Sequence, residues 1–338
     1  MAPKVSRSAA AEPSSRMLGR VAGEGKGMAD RVVDALVVGG GASGLAAALW
    51  LARYRRSVVV LDSGQYRAAA VEWSHGYLGR DPQQPLDLLA RGREELLAYP
   101  ATSLVRRTVE EVRRDGDLFV VPPYRSHRLV LACGVQDAFP DVAGFGEHYG
   151  ASVFHCPACD GYEARDRDVV ALGWDPHLVG FAATLLNWAR SVTVVTNGHT
   201  FEGDAGCRAL LADLGVELVE EDAQALLGAR GDLRGLRLRS GRELATSLVF
   251  FSVAHQPRTD LAVALGCALD PDGYVAVDAQ GQTSVPGVYA AGDLVPGLQL
   301  VQVAAASGTV AGVVAAQSLF GEPGAPTSPE PAPAMPDV

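Results

Sequence analysis

An apolar run at 32–38 leads directly into Gly39-Gly40-Gly41-Ala42-Ser43-Gly44, and a helical pattern follows over 45–54. A second short apolar run, 57–61, ends in Asp62, about twenty residues after the glycines. Strand, tight turn, helix, strand and acid in that order restrict this stretch to a βαβ unit with a dinucleotide at its turn. Gly39 permits the turn, Gly41 lets the backbone approach a pyrophosphate, and Gly44 allows close helix packing. The helix N-terminus offers free N–H groups to the phosphates, and Asp62 would accept hydrogen bonds from an adenosine ribose. A glycine-rich turn that serves packing alone is the competing reading, against which the flanking strands, helix and acid all weigh.

The chain has 338 residues, enough for two domains. With 48% hydrophobic and 20% charged residues it can bury an ordinary core. A net charge of −10 without a basic stripe argues against nucleic acid and anionic membrane as partners. The most apolar long stretch, 300–316, is interrupted by Gln302, Ser307 and Thr309, so no membrane span is expected. Five scattered cysteines, at 133, 156, 159, 207 and 267, are too few for a secreted disulfide framework, which points to a cytoplasmic protein with one special pair. Residues 1–31 lack the apolar core of a signal peptide. Their composition suits a transit peptide, but Glu24-Gly25-Lys26-Gly27 before Met28 favours Met28 as the natural start. The proline-rich 321–338 reads as a disordered tail.

That special pair lies in His155-Cys156-Pro157-Ala158-Cys159-Asp160-Gly161-Tyr162-Glu163. Two thiols two residues apart, followed by a carboxylate, can form a disulfide, exchange it and move protons. Pro157 stiffens the loop, and His155 can stabilise the Cys156 thiolate or be a loop residue only. Asp160 is either a proton-handling group or a turn former before Gly161. A zinc half-site would require two further ligands and no second CxxC exists, so no metal is expected, and redox exchange is preferred to zinc or inert thiols.

Elsewhere the pattern predicts a helix over 85–98 and strands over 104–113, 118–122 and 128–132, the last ending in Cys133-Gly134. Cys133 reads as a small buried hydrophobe. A second βαβ unit is predicted from a strand at 168–172, a helix at 179–189 and a strand at 192–195. Its turn, Gly173-Trp174-Asp175-Pro176-His177-Leu178, has Asp175 where the backbone should meet a pyrophosphate, and the next strand ends in Thr196-Asn197 with neither a ribose-binding acid nor arginines. The unit keeps the nucleotide-binding pattern but is poorly equipped to bind NADPH. Further strands and turns fill 216–251, His255-Gln256-Pro257 reads as a hinge, strands are expected over 273–278 and 285–290, and a helix of small residues over 301–319. Gly292-Asp293 ends the 285–290 strand, where the acid can meet a ribitol hydroxyl.

The glycine turn Gly39 to Gly44, the Cys156 to Gly161 motif, the Gly292-Asp293 turn and the helix carrying Gln302 together resemble the low-molecular-weight thioredoxin reductases and their relatives over 32–320. The resemblance implies an α/β fold of two Rossmann-like three-layer domains. The FAD domain would be discontinuous, 32–142 and 268–320, with the CxxC-bearing domain inserted at 143–267. It further implies that Gly39, Gly41, Ser43, Gly44, Asp62, Gly134, Gly292 and Asp293 contact FAD, with Gln302 near the flavin ring. Cys159 would face the flavin, Cys156 would exchange with the substrate, and Asp160 would donate and accept the proton. A homodimer is expected from the family alone.

The middle domain departs from the reductases, which carry an intact glycine fingerprint and a His-Arg-Arg type motif where this chain has Gly173-Trp174-Asp175 and Thr196-Asn197-Gly198. A branch of the family that forms disulfides in small dithiol natural products and passes electrons to oxygen also lacks a nicotinamide site. It is similar here in Cys-Pro-x-Cys and in Ser74-His75-Gly76-Tyr77-Leu78-Gly79-Arg80-Asp81, although it usually has His where Asp160 stands. Dithiol oxidation is the preferred expectation. The alternatives are an NADPH- or ferredoxin-driven reductase of a thioredoxin-like protein, and a flavoprotein redox sensor without turnover.

Overall fold

Side-chain alternation along the first strand, β1 (Val32–Val38), divides the first domain's core in two. Leu36 and Val38 enter one buried cluster, Ala35 and Val37 the other. Both faces of the strand are covered, which is why the run reads as continuously apolar. The computed structural model describes residues 32–252 and 255–320; the tails expected at 1–31 and 321–338 and the start expected at Met28 lie outside the described residues.

From β1 the chain enters α1 (Ala42–Arg53), returns in β2 (Val58–Asp62), makes a short 3-10 turn at Arg67–Ala70, and continues through α2 (Pro85–Leu97) to β3 (Thr102–Arg106). The strand expected over 104–113 stops at Arg106, opposite Asp62, because its partner β2 ends there. A meander follows, β4 (Arg113–Asp115), β5 (Leu118–Val121) and β6 (Tyr124–Leu131), and then β7 (Val135–Asp137). The sheet order is β3-β2-β1-β6-β5-β4, with β1 parallel to both β2 and β6, so strand order reverses beside β1. Open parallel sheets bind ligands at such a reversal, outside the carboxyl ends of the strands.

The chain then builds a second sheet. After α3 (Phe145–His148) come β8 (Val153–Phe154), the one-turn helix α4 (Pro157–Asp160), β9 (Asp168–Leu172), α5 (Leu178–Leu185), β10 (Ser191–Val195), α6 (Ala205–Asp213) and β11 (Glu217–Val219). The strands β12 (Ala223–Ala229), β13 (Asp232–Leu238) and β14 (Glu243–Ala245) form a separate antiparallel sheet, and β15 (Leu248–Phe251) completes the parallel order β11-β10-β9-β15-β8. Helix α6 was not expected from periodicity, yet Asp204 caps it by accepting the Cys207 N–H at 2.8 Å, a local signal the sequence carries.

The segment expected to be a hinge is a strand, β16 (His255–Pro257), paired antiparallel with β7. The chain crosses back there, before the boundary placed at 267. Leu261 and Ala262 of α7 (Asp260–Ala264) and Cys267 pack into the first core with Leu36 and Val38. The strand expected over 273–278 reduces to isolated bridges at Val275 and Val277. Then β17 (Val288–Ala290) joins the first sheet alongside the end of β6, and α8 (Val301–Gln317) packs on α1. A Cβ at Gly308 would lie 2.0 Å from the Ser43 carbonyl oxygen, so glycine at this position lets α8 approach the start of α1.

Candidate active site

A cavity of about 620 Å³ opens at the strand-order reversal and runs from Gly39 and Ser43 past Asp62, Arg67 and Asp293 to Cys159 and Asp160. Backbone geometry builds its first wall. Gly39 has φ +108°, and a Cβ there would lie 2.2 Å from the Ala132 carbonyl oxygen. At Gly41, which precedes α1, a Cβ would meet nothing within 4 Å, so this side of the turn is open. The Ser43 hydroxyl is buried without a hydrogen-bond partner. An open glycine, an unsatisfied hydroxyl and a helix N-terminus together fit a diphosphate. Further along, the buried Asp62 carboxylate accepts the Gly64 N–H at 2.9 Å, the Gly40 N–H at 3.3 Å and the Tyr66 hydroxyl, with Arg93 at 3.9 Å.

Arg67 is the centre of a polar network that sequence reasoning missed, since one arginine in a turn-rich segment carries no spacing signal. Its guanidinium meets Asp137 on β7 at 2.6 Å, Asp293 at 3.2 Å and Gln299 at 2.6 Å. Gln299 also contacts His255 and the Tyr274 hydroxyl, each at 3.1 Å. Burial opposes ionisation of Asp137, but the hydrogen bonds and charge of Arg67 outweigh it and leave its pKa lowered. Asp137 therefore accepts from the Tyr149 hydroxyl at 3.0 Å, and the Tyr149 oxygen in turn lies 3.3 Å from His155 Nδ1. Because the tyrosine proton goes to the carboxylate, the tyrosine oxygen can only accept, which places a hydrogen on Nδ1.

The cysteine pair sits beside this network. Cys156 and Cys159 form a disulfide at the start of α4, with the Cys156 sulfur accepting the Cys159 N–H at 3.1 Å and Pro157 in the first helical turn. Cys159, Asp160 and His155 line the cavity. Burial, followed by the Arg67 charge, pushes the His155 pKa down to about 4. The imidazole is neutral near pH 7, so the cationic stabilisation of a Cys156 thiolate expected from the sequence does not apply. Asp160 moves the other way: burial and then the neighbouring Glu163 raise its pKa to about 7, against a lowering by His75. A carboxyl poised near neutrality can both give and take a proton. Burial pushes the Cys133 thiol up to about 11, which suits an unreactive wall residue.

The turn of the second βαβ unit is occupied by its own side chains. The Asp175 carboxylate accepts the His177 N–H at 2.7 Å, and the Trp174 ring stacks on His199 with centroids 3.9 Å apart. The Thr196 hydroxyl donates to the His199 carbonyl at 2.6 Å, and the Asn197 side chain accepts the Ala223 N–H at 3.1 Å. Arg208 and Arg239 are paired with Glu220 and Asp222.

Two crossed βαβ units, a long cavity at the first and a disulfide reaching into that cavity agree with a match to the family model described as pyridine nucleotide-disulphide oxidoreductase over residues 33–308. The chain belongs to this family. It is an FAD-dependent disulfide oxidoreductase of the thioredoxin reductase-like type, as the sequence resemblance implied. Among curated proteins it is similar to thioredoxin reductase tcpT of Claviceps purpurea, 32% identical over 86% of this chain and 95% of the relative. Among solved structures it is similar to HlmI, 37% identical with a TM-score of 0.81 over 85% of this chain and 92% of the other. It is also similar to the putative thioredoxin reductase TrxB of Bacillus anthracis, 27% identical with a TM-score of 0.79 over 85% and 98%.

The oxidoreductase gathers most residues singled out from sequence around one cavity: Gly39, Gly41, Ser43, Asp62, Gly134, His155, Cys159, Asp160, Gly292, Asp293 and Gln302 all line it. Gly44 is placed behind the turn, where a Cβ would lie 1.8 Å from the Gly39 oxygen, and Cys156 stands outside the lining. Arg67, Gln299 and His75 line it too. Among the described residues no cluster of His, Cys, Asp and Glu is arranged to hold a metal, and no helix is long and apolar enough to cross a membrane.

Proposed function

We propose that this oxidoreductase converts a small dithiol to its disulfide, with bound FAD and then oxygen taking the electrons. The observation that supports this reading is the second dinucleotide turn. Asp175 already takes up the His177 N–H that a phosphate would need, Trp174 and His199 stack on one another, and the two arginines nearby are neutralised by carboxylates. These residues do not fit NADPH, whose phosphates need free N–H groups and unpaired cations.

The first turn does fit FAD. Gly39, Gly41 and Ser43 would hold the diphosphate while Gly44 packs behind them, Asp62 would hold the ribose, Asp293 the ribitol, and Gly134, Gly292 and Gln302 the region toward the ring. Bound FAD supplies a two-electron acceptor at the Cys159 end of the cavity. A substrate thiolate attacks the Cys156 sulfur, the Cys156–Cys159 bond breaks, and its electron pair leaves on Cys159, which takes a proton from Asp160. The second substrate thiol then displaces Cys156, so the substrate leaves as a disulfide and the protein holds two thiols. Neutral His155, held by Tyr149, accepts a hydrogen bond from the substrate thiol before that thiol ionises and attacks. A cytoplasmic homodimer belongs to the same reading by family resemblance.

Anaerobic mixing of the FAD-loaded protein with a dithiol such as dithiothreitol is expected to bleach the flavin absorbance rapidly, and mixing with NADPH is not. Rapid bleaching by NADPH would overturn the proposal in favour of the reverse flow, a thioredoxin-type disulfide reductase, the activity for which tcpT and TrxB are named.

A further inference from the structure

Asp160 has to change its protonation state in every catalytic cycle, yet it is only 9% exposed. A buried carboxyl with that duty needs a path to solvent, and three side chains outside the disulfide loop form one. Glu163 lies three residues after Asp160, in the 3-10 turn Gly161–Ala164 that follows α4, close enough for its charge to act on the Asp160 carboxyl. One Glu163 oxygen, Oε2, is buried with no hydrogen-bond partner, and the other, Oε1, lies 3.6 Å from His75 Nε2. On its far side His75 Nδ1 lies 2.9 Å from Asp81 Oδ1. Side-chain exposure is 34% at Glu163, 31% at His75 and 52% at Asp81, so the outermost of the three is the most exposed.

The segment that carries His75 is held in place. Ser74 and Gln83 exchange backbone hydrogen bonds of 2.8 and 3.1 Å, and the Gln302 amide donates to the Gly76 carbonyl at 3.4 Å. His75 and Asp160 line the same cavity. Since the Asp81 carboxylate accepts the hydrogen on Nδ1, Nε2 is the nitrogen free to take a proton arriving through Glu163. The 3.6 Å gap closes by a small rotation of the Glu163 carboxyl or through one water.

We propose that Glu163, His75 and Asp81 form a proton relay between Asp160 and solvent. The relay rests on the reading of Cys156–Cys159 as the reacting disulfide, but not on the direction of electron flow. For a dithiol the balance is R(SH)2 plus the protein disulfide giving the cyclic disulfide plus two protein thiols. Disulfide re-formation then releases two electrons and two protons, and oxygen takes both to become hydrogen peroxide. Asp160 gives one proton to Cys159 as it leaves and is reprotonated through the relay by the proton that the ionising substrate thiol released to solvent; when the disulfide closes, the Cys159 proton passes out by the same relay to match the protons that oxygen takes up. His75 and Asp81 touch no reacting sulfur and act as positioning and transfer residues.

The test uses the full chain loaded with FAD. The rate of flavin bleaching by dithiothreitol is followed without oxygen across the neutral pH range in wild type, His75→Gln and Glu163→Gln. The expected result is an on the order of tenfold or greater slowing in His75→Gln at unchanged flavin spectrum and melting temperature. Added imidazole should restore His75→Gln and leave wild type unaffected. Glu163→Gln removes the negative neighbour of Asp160, so the apparent pKa of its rate profile should fall below that of wild type. A folded, FAD-bound His75→Gln at the wild-type rate, or a slow one that imidazole does not restore, overturns the relay. If wild type is bleached by NADPH and not by dithiothreitol, the oxidase reading fails; the ratio of His75→Gln to wild type, measured as NADPH oxidation driven by a disulfide substrate, then decides the relay.

Discussion

Asp160 carries the sharpest prediction at the scale of single residues. Its pKa is raised from 3.8 to about 7 in the folded protein, mainly by burial, so the native state holds a proton that the unfolded chain has released. Stability contributed by this group is present below the unfolded pKa and is lost as pH rises through about 7. An uncharged isostere escapes that loss, which approaches about 4 kcal/mol at full ionisation. Asp160→Asn should therefore gain stability relative to wild type between about pH 5 and about pH 8 in thermal unfolding, while losing dithiol turnover. A gap that stays constant across those conditions would refute the assigned environment. The same scale shows what composition conceals. The sequence offers His155 as a cation beside Cys156, whereas Arg67 and burial make it neutral, and neither influence is visible in a list of neighbours along the chain.

At the scale of elements, the closeness of α1 and α8 is what sets the phosphate end of the cavity. Ser43 lies in the first turn of α1, its carbonyl faces Gly308, and its buried hydroxyl has no hydrogen-bond partner. A side chain at position 308 has to push the two helices apart, because the obstacle is backbone and not a flexible side-chain end. Gly308→Val should cost on the order of 1–3 kcal/mol in unfolding free energy and weaken FAD binding in equilibrium titration. Retained affinity with lowered stability would separate packing from cofactor placement. The helix of small residues read at the carboxyl end thus has a physical purpose that its composition hinted at. The strand pair β7–β16 shows the opposite case. Three-residue strands have too little periodicity to be read, so the pairing of β16 with β7 in a small sheet of their own was invisible in a segment read only as a hinge.

At the scale of the molecule, the disulfide is carried by one sheet and the cavity by the other, and Arg67 ties them by way of Asp137, whose carboxylate accepts from Tyr149 beside His155. Cys159→Ser is expected to keep FAD bound with a normal spectrum and to show no bleaching by dithiothreitol. Bleaching at the wild-type rate would remove Cys159 from its assigned role. The first βαβ unit and the cysteine pair were legible in the sequence because local rules specify both. Only glycine tolerates φ +108° at Gly39 against the Ala132 backbone, and a CxxC at a helix start holds its sulfurs together within one turn. Asp175 in the second turn was equally visible in the sequence, and in the structure its carboxylate accepts the His177 N–H. What the tertiary structure alone decided is how residues far apart in the chain act on one another. Arg67 meets Asp137 and Asp293 across 70 and 226 residues, His75 meets Glu163 from the other unit, and burial sets the protonation of His155 and Asp160. Spacing along a chain carries local conformation, but desolvation and charge pairing depend on distance in space, and that is known only after folding.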